Sequence, residues 1–150
     1  MSRLSYTILS GMPTVLDFTS EKVRAAGWYG HTKGLHTISI VVHNFQGRLS
    51  IQGSQIINPT SEADWFAVPY PEPFTSMSCI QYPRINVPQR NPNGRGETST
   101  FGFSFRTNCL WLRATICRQY LLPVAFPCYA KSMTDNISWL GAVDSILVNY

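Results

Sequence analysis

Charge is scarce in this chain of 150 residues: only 13% of them are Asp, Glu, Lys or Arg, against about 25% in an average globular domain. This low fraction excludes a coiled coil, a highly charged helical bundle and a charged disordered tail. The net charge is only +4, and the 12 basic residues are spread along the chain instead of being clustered. We therefore expect no nucleic acid among the partners, and a surface that largely contacts other protein.

The motifs of common active sites and cofactor sites are also missing. The sequence contains no H-E-x-x-H, G-x-S-x-G or P-loop pattern. Its 8 carboxylates are scattered, so no acid–base pair is indicated. The prediction is a protein with no enzymatic activity, no metal and no cofactor. The enzyme alternative would need His31 or His36 close to an acid in a pocket.

The cysteine spacing and the lack of long apolar runs indicate the cellular compartment in which the protein is made. No two cysteines are spaced C-x-x-C, so neither a zinc ribbon nor a thioredoxin-like motif is predicted. The first 12 residues lack the pattern of a signal peptide, and no run of about 18 apolar residues predicts a membrane span. We expect a protein made in a reducing cytoplasm, away from membranes, with free thiols at Cys79, Cys109, Cys117 and Cys128.

Alternation of apolar and polar residues is the main structural signal. A period of two is typical of half-buried antiparallel strands, and we find it at 37–42, 48–52, 100–106, 110–117 and 143–150. The pattern predicts one all-β domain over 1–150, an antiparallel β-sandwich of jelly-roll-like form. The residues from His43 to Gly47 predict a hairpin loop between the first two strands. Helical signal is confined to Ser20–Gly27, which fits either one helical turn or the approach to a strand.

A long proline-rich segment interrupts the strands at about 68–96. It holds six prolines, which exclude central strands and favour an extended path. One interpretation is a surface loop, and the other is an arm that lies on a neighbouring subunit. In the second interpretation, the interface residues are Arg84, Arg90 and Arg95.

A second irregular stretch runs from Tyr120 to Pro127 and is apolar but broken by prolines. It could close one end of the sandwich, or it could form an exposed apolar contact. The contact candidates in this stretch are Leu121, Leu122 and Phe126.

Aromatic residues supply the remaining candidate site. Trp28, Tyr29 and Trp111 could form a stacking platform for sugars if they are exposed together, and Trp65 and Phe66 could extend it. The alternative is that Trp65 and Trp111 are core or seam residues. We expect Trp65 and Phe66 to be buried in the seam between the sheets, with Asp64 capping the turn before them.

One segment has a more specific pattern. Residues 47–54 read G-R-L-S-I-Q-G-S, and they are followed by Pro59 and by A-D-W-F at 63–66. This order and spacing resembles a segment that recurs in virion proteins of tailed phages, especially large contractile-tailed phages of cyanobacteria and marine bacteria. The stretches 34–40, 111–114 and 141–150 are similar to the same family, so that the resemblance covers about 27–66 and 100–150.

The resemblance implies a β-sandwich module used as a structural piece of the particle, and it transfers no catalytic residues. We therefore expect a multi-copy, non-enzymatic virion protein, assembled in the host cytoplasm, whose partners are other virion proteins and copies of itself. Its place could be capsid decoration, the neck, the baseplate or a fibre attachment. The alternative function is a carbohydrate-binding module that recognises host surface glycans.

Overall fold

The computed structural model describes residues 4–10, 17–31, 33–71, 78–82, 84, 96–118 and 141–150. Ten β-strands and two short 3₁₀ turns, Ala26–Tyr29 and Glu62–Asp64, lie in these ranges. The strands are β1 Ser5–Ser10, β2 Asp17–Thr19, β3 Val23–Arg24, β4 Gly34–Phe45, β5 Gly47–Ser54, β6 Phe66–Ala67, β7 Ile80–Tyr82, β8 Glu97–Thr107, β9 Trp111–Cys117 and β10 Ala142–Asn149. All five predicted strands are confirmed.

The strands form two antiparallel sheets that pack face to face. The first sheet has the order β1-β10-β4-β8, and the second has the order β2-β9-β5-β6. In the second sheet, β2 and β3 pair with successive parts of β9, so together they take the place of one interrupted strand. In the same way, β6 and β7 pair with different parts of β5 and together take the place of another. Counted in this way, eight strands follow the order of a jelly roll. The predicted all-β, jelly-roll-like sandwich is confirmed.

The core lies between the sheets and is built from the inward half of each alternating strand. Ile38, Ile40 and Val42 of β4 face Leu49 and Ile51 of β5 across the interior. The other strands add fully or largely buried side chains, among them Phe103, Phe105, Leu112, Ile116, Val143, Ile146 and Val148. Each such side chain stabilises the fold by about 1.5–3 kcal/mol, so the period-two pattern is also the energetic basis of the sandwich.

The predicted hairpin at His43–Gly47 is wrong. β4 belongs to the first sheet and β5 to the second, and only Gln46 separates them. The chain therefore turns a corner between layers, with Asn44 at φ 49° and Gly47 at φ 146°. Two alternating runs joined by a glycine are the local signal of both a hairpin and such a corner. Which of the two forms depends on the strands that pair elsewhere in the fold.

The described part of the proline-rich segment packs on its own domain and does not leave it as an arm. Val68, Tyr70 and Ile80 are buried, and β7 pairs with the first half of β5. The Tyr70 hydroxyl accepts a hydrogen bond from the Ile51 N–H at 2.9 Å. The contact candidates Arg90, Arg95, Leu121, Leu122 and Phe126 lie outside the described residues.

Arg84 corrects the arm interpretation most directly. Its side chain is 8% exposed and pairs with the fully buried Glu97 at 2.7 Å. The Arg84 backbone N–H donates to the same carboxylate at 2.8 Å, and the guanidinium lies over the Phe101 ring at 4.3 Å. This guanidinium is therefore used inside the domain, and the structure does not present it to a neighbouring subunit.

The segment from Ser20 to Gly27 follows the strand interpretation. The Ser20 hydroxyl accepts from the Ala114 N–H at 2.9 Å, β3 follows, and the 3₁₀ turn begins only at Ala26. Gly30, at φ 87°, ends that turn in place of the predicted Gly27. Pairing with β9 outweighs the local helical signal because it satisfies the backbone of this short segment.

The corner between the sheets generates a stability prediction. Gly141→Ala should lower the free energy of unfolding by about 2–4 kcal/mol, since alanine is strained at the φ of 74° and its Cβ would meet the Asn44 carbonyl. Urea unfolding followed by tryptophan fluorescence measures the change. In the control variant Gly102→Ala the new Cβ would lie 3.6 Å from the nearest atom, and the effect should stay within about 0.5 kcal/mol. Equal stability of the two variants would contradict the tight corner.

The buried ion pair generates a second prediction. Glu97→Gln should cost about 3 kcal/mol, because it leaves the Arg84 charge buried without its partner. The matched control is Glu62→Gln in the pair with Arg113. Arg113 is as buried as Arg84, but the Glu62 side chain is 83% exposed, so that water can replace its carboxylate and the cost should be less than about 1 kcal/mol.

The pH dependence of the Glu97 contribution has a definite sign. Burial raises the pKa of Glu97, but the hydrogen bonds from Arg84 and Ser99 outweigh burial and hold that pKa below its ordinary 4.5. The contribution of the Glu97 carboxylate to the free energy of unfolding is therefore complete above the ordinary pKa of 4.5, and it is lost as the pH falls through the lower folded-state pKa. If unfolding midpoints show no difference in acid sensitivity between the parent and Glu97→Gln, this assignment is wrong.

Candidate functional site

The outer face of the second sheet gathers three tryptophans and three basic residues. In β9 the even-numbered residues Leu112 and Ala114 point into the core, so Trp111 and Arg113 point outward. The antiparallel register places Arg24 of β3 opposite Trp111. We call Trp28, Trp65 and Trp111 with Lys22, Arg24 and Arg113 the tryptophan–cation array.

Trp28 and Trp111 form a side-by-side pair on this surface. Their ring centroids are 4.7 Å apart with 48° between the planes. Trp28 is 38% exposed and Trp111 is half-buried. The Trp111 indole N–H donates to the Ile57 carbonyl at 2.9 Å, which fixes the orientation of the ring. Two of the three predicted stacking residues are therefore brought together and reach solvent.

Each tryptophan of the array carries a basic group over its ring. The Lys22 Nζ lies 4.5 Å from the Trp111 centroid, and the Arg24 guanidinium lies 5.0 Å from that of Trp28. The Arg113 guanidinium lies 4.2 Å from the ring of Trp65. Each of these contacts is within cation–π range and contributes about 0.5–1 kcal/mol at an exposed site.

The three cations differ in how their charge is balanced. Arg113 donates to the Glu62 carboxylate at 2.6 Å and to the Gln52 side-chain oxygen at 2.8 Å. Among the described residues, no carboxylate lies within ion-pair distance of Lys22 or Arg24. The end of the array near Trp28 is therefore positively charged, and the end near Trp65 is balanced.

A shallow open pocket of about 200 Å³ lies beside the balanced end. Trp65 and Arg113 line it together with the segments 20–22 and 59–62. The second of these segments is shaped by Asp64, whose carboxylate accepts from the N–H groups of Thr60 at 2.8 Å and Ser61 at 2.9 Å. These backbone hydrogen bonds lower the pKa of Asp64. The predicted cap by Asp64 is confirmed.

Tyr29 is also exposed, at 40%, but its ring and hydroxyl contact other tyrosines and not the tryptophan pair. Its hydroxyl meets that of Tyr6 at 2.5 Å, and its ring lies 6.1 Å from that of Tyr150. The hydrogen bond with Tyr6 lowers the pKa of Tyr29, and Arg24 acts in the same direction. The predicted platform of three aromatic residues is thus divided, with Tyr29 in a separate tyrosine cluster.

Trp65 and Phe66 are less buried than predicted. Trp65 is half-buried under Arg113, and Phe66 is 37% exposed. β6 has only two residues and pairs with β5 alone among the described strands, so this segment lies at the rim of the sheet and not in the seam. The array residues Lys22, Arg24 and Arg113 had no place in the predicted site, although the alternation in β9 already put Arg113 on the same face as Trp111.

His36 positions the turn that carries Trp28. Its imidazole is fully buried between the rings of Phe105 and Tyr150, with centroids 5.1 and 5.3 Å away. The Nε2 atom accepts a hydrogen bond from the Ala26 N–H at 3.0 Å, at the start of the 3₁₀ turn. The imidazole must be neutral at Nε2 to accept this hydrogen bond, so His36 serves the turn by holding its first residue.

Comparison with known proteins does not assign this chain to a family. Searches against protein-family models, curated proteins and solved structures found no match to this chain. Within the described residues, histidine, cysteine, aspartate and glutamate side chains do not assemble in groups of three that could hold a metal. The described part of the chain also has no helix of the length and apolar character needed to cross a membrane.

The buried imidazole generates a pH prediction. Burial lowers the pKa of His36 below its ordinary 6.5, and the Gly34 backbone only partly opposes this. The unfolded chain then binds more protons than the folded one below that pH, so stability should decline as the pH falls from about 6.5 to the folded-state pKa. Urea midpoints measured from pH about 7.5 to about 5 test this decline.

Two variants isolate the contribution of His36. His36→Gln keeps an oxygen that can accept from Ala26 but does not titrate, and should therefore flatten this part of the pH profile. His43→Gln changes an exposed histidine and should leave the profile as in the parent. A profile of His36→Gln that still follows the parent would assign the acid sensitivity to other groups.

Proposed function

We propose that this protein is a non-enzymatic, multi-copy structural protein of a tailed-phage virion, which acts through contacts with other virion proteins and with copies of itself. The observation that supports the proposal most strongly is the folding of the segment that carries the family resemblance. Residues 47–66 form one unit, in which β5 leads into a loop and β6 returns to pair with it.

The pairing within this unit accounts for the spacing of its motif. Gly53 at the end of I-Q-G-S lies opposite Phe66 at the end of A-D-W-F. Between them, Ser61 and Asp64 form a reciprocal capping box that holds the turn. The residues that carry the resemblance are thus the residues that this unit needs to fold, as expected for a recurring structural module.

The jelly roll and its first sheet also support a role in assembly. The jelly roll is a frequent building block of viral capsid proteins, although this is an analogy at the level of fold. The outer face of the first sheet carries mainly uncharged polar side chains: Thr37 and Ser39 lie on the inner strand β4, Thr100 and Ser104 lie on the edge strand β8, and Arg106 follows near the end of β8. Hydroxyl groups cost less to desolvate than charged groups when another protein covers them and supplies hydrogen bonds. We propose this face as the assembly surface.

The proposal predicts that the protein is present in many copies in purified particles of the phage that encodes it. Quantitative mass spectrometry of such particles measures the copy number. Ser104→Lys places a charge on the proposed assembly surface and should reduce incorporation at least about tenfold without unfolding the domain, because a covered charge is costly. Asn58→Lys, at an exposed position outside the first sheet, is the control and should incorporate normally. Absence of the protein from the particles would refute the proposal.

Carbohydrate binding is the second candidate, and the pair formed by the exposed Trp28 and the half-buried Trp111 specifically favours it. Aromatic rings at a polar pocket form a common type of small-ligand site, and the jelly roll also occurs in lectins. The second sheet carries this site and the first sheet carries the proposed assembly surface, so one virion protein could use both.

A further inference from the structure

The uneven charge of the tryptophan–cation array narrows the class of ligand. Lys22 and Arg24 are exposed, lie over tryptophan rings, and have no carboxylate within ion-pair distance among the described residues. Two exposed cations on one face attract an anion, because their charges add and the uncharged Tyr29 hydroxyl beside Arg24 does not balance them. A ligand for this surface is therefore expected to bring negative charge to the end near Trp28.

The other end of the array has the chemistry of hydroxyl recognition. The pocket is lined by polar residues, and two of them, Glu62 and Arg113, are already paired with each other. The others are Ser20, Glu21, Lys22, Thr60 and Ser61. Carboxylates accept hydrogen bonds and guanidinium groups donate them, so together they suit the adjacent hydroxyls of a sugar. The volume of about 200 Å³ is below the range of about 300–1,000 Å³ that encloses a drug-sized ligand, so a longer ligand would lie across the face.

We propose that this surface binds an acidic glycan, that is, a sugar chain whose residues carry carboxylates. A sugar ring stacks against the exposed Trp28 and the accessible part of Trp111, and its carboxylate pairs with Lys22 and Arg24. The next residue of the chain places its hydroxyls in the pocket beside Arg113. This inference rests on the second candidate function and adds to it the charge class of the glycan.

A single-stranded nucleic acid is the main competitor, since it also uses stacking and cations. The two carboxylates in the pocket argue against it. Glu21 and Glu62 accept hydrogen bonds, but a DNA backbone has no hydroxyl group and an RNA backbone has one per nucleotide, whereas each sugar residue, acidic or not, carries several hydroxyl groups that can donate to them. A glycan supplies such donors, so the mixed charges of the pocket favour the sugar.

The test is a binding assay on immobilised oligosaccharides. The probes are oligomers of uronic acids and of sialic acid, each with its methyl-ester counterpart, which has the same sugar ring without the charge. The parent should bind at least one acidic oligomer about tenfold or more tightly than its ester, and this preference should weaken as the salt concentration rises.

Variants assign the binding to the surface. Lys22→Gln and Arg24→Gln should remove the preference for the acid over the ester, while Trp28→Ala should weaken binding of both forms. Arg106→Gln removes the same charge from the other sheet, where the side chain is exposed, and should bind as the parent does. Circular dichroism of each variant verifies that the β-sandwich is intact.

The outcomes separate this inference from the functions on which it rests. Equal binding of acids and esters would overturn the charge class and leave carbohydrate binding in place. Failure to bind any oligomer would overturn both. Tighter binding of an oligo-dT strand than of every oligosaccharide would assign the surface to nucleic acid. None of these results affects incorporation into particles, which depends on the first sheet.

Discussion

The tertiary structure depends on the corner at which the chain leaves the first sheet and enters the second. Only Gln46 lies between β4 and β5, so the two layers are joined at this point by the shortest of connections. Arg118 is buried behind the corner, where its guanidinium donates to the Gly141 carbonyl at 2.7 Å and lies over the Phe45 ring. Burial lowers the pKa of Arg118, and Asp17 opposes this shift. The buried guanidinium charge is stabilised by hydrogen bonds and by the face of an aromatic ring, which different elements of the fold contribute.

Strand β9 connects this core to the candidate site. Its inward residues, Leu112, Ala114 and Ile116, complete the interior of the second sheet. Its outward residues, Trp111 and Arg113, are the centre of the tryptophan–cation array. Because one backbone positions both sets, a change of register by one residue would exchange core and site. The site is therefore as rigid as the pairing of β9 with β5, which extends over seven residue pairs.

The two outer faces of the sandwich have different chemistry, and this difference connects the two proposed roles. The first sheet presents hydroxyl side chains with little charge, which suits close contact with other protein. The second presents aromatic rings, a polar pocket and two cations that have no carboxylate partner within the described residues, which suits a hydrophilic ligand. The described part of the proline-rich segment contributes to neither role, since Val68, Tyr70 and Tyr82 complete the core and Arg84 balances Glu97.

The sequence by itself determined the class of fold, because a period of two needs only local geometry: each predicted strand, from the stretch at 37–42 to that at 143–150, buries the face that its pattern indicates. It also determined the cap by Asp64, whose partners Thr60 and Ser61 are close in the chain. Only the tertiary structure decided which strands pair, and so turned the predicted hairpin at His43–Gly47 into a corner between sheets. It likewise placed Arg84 inside the domain and assembled Lys22, Arg24 and Trp28 around Trp111. These contacts join residues far apart in the chain, and no local pattern encodes them because their free energy comes from burial and pairing across the whole sandwich.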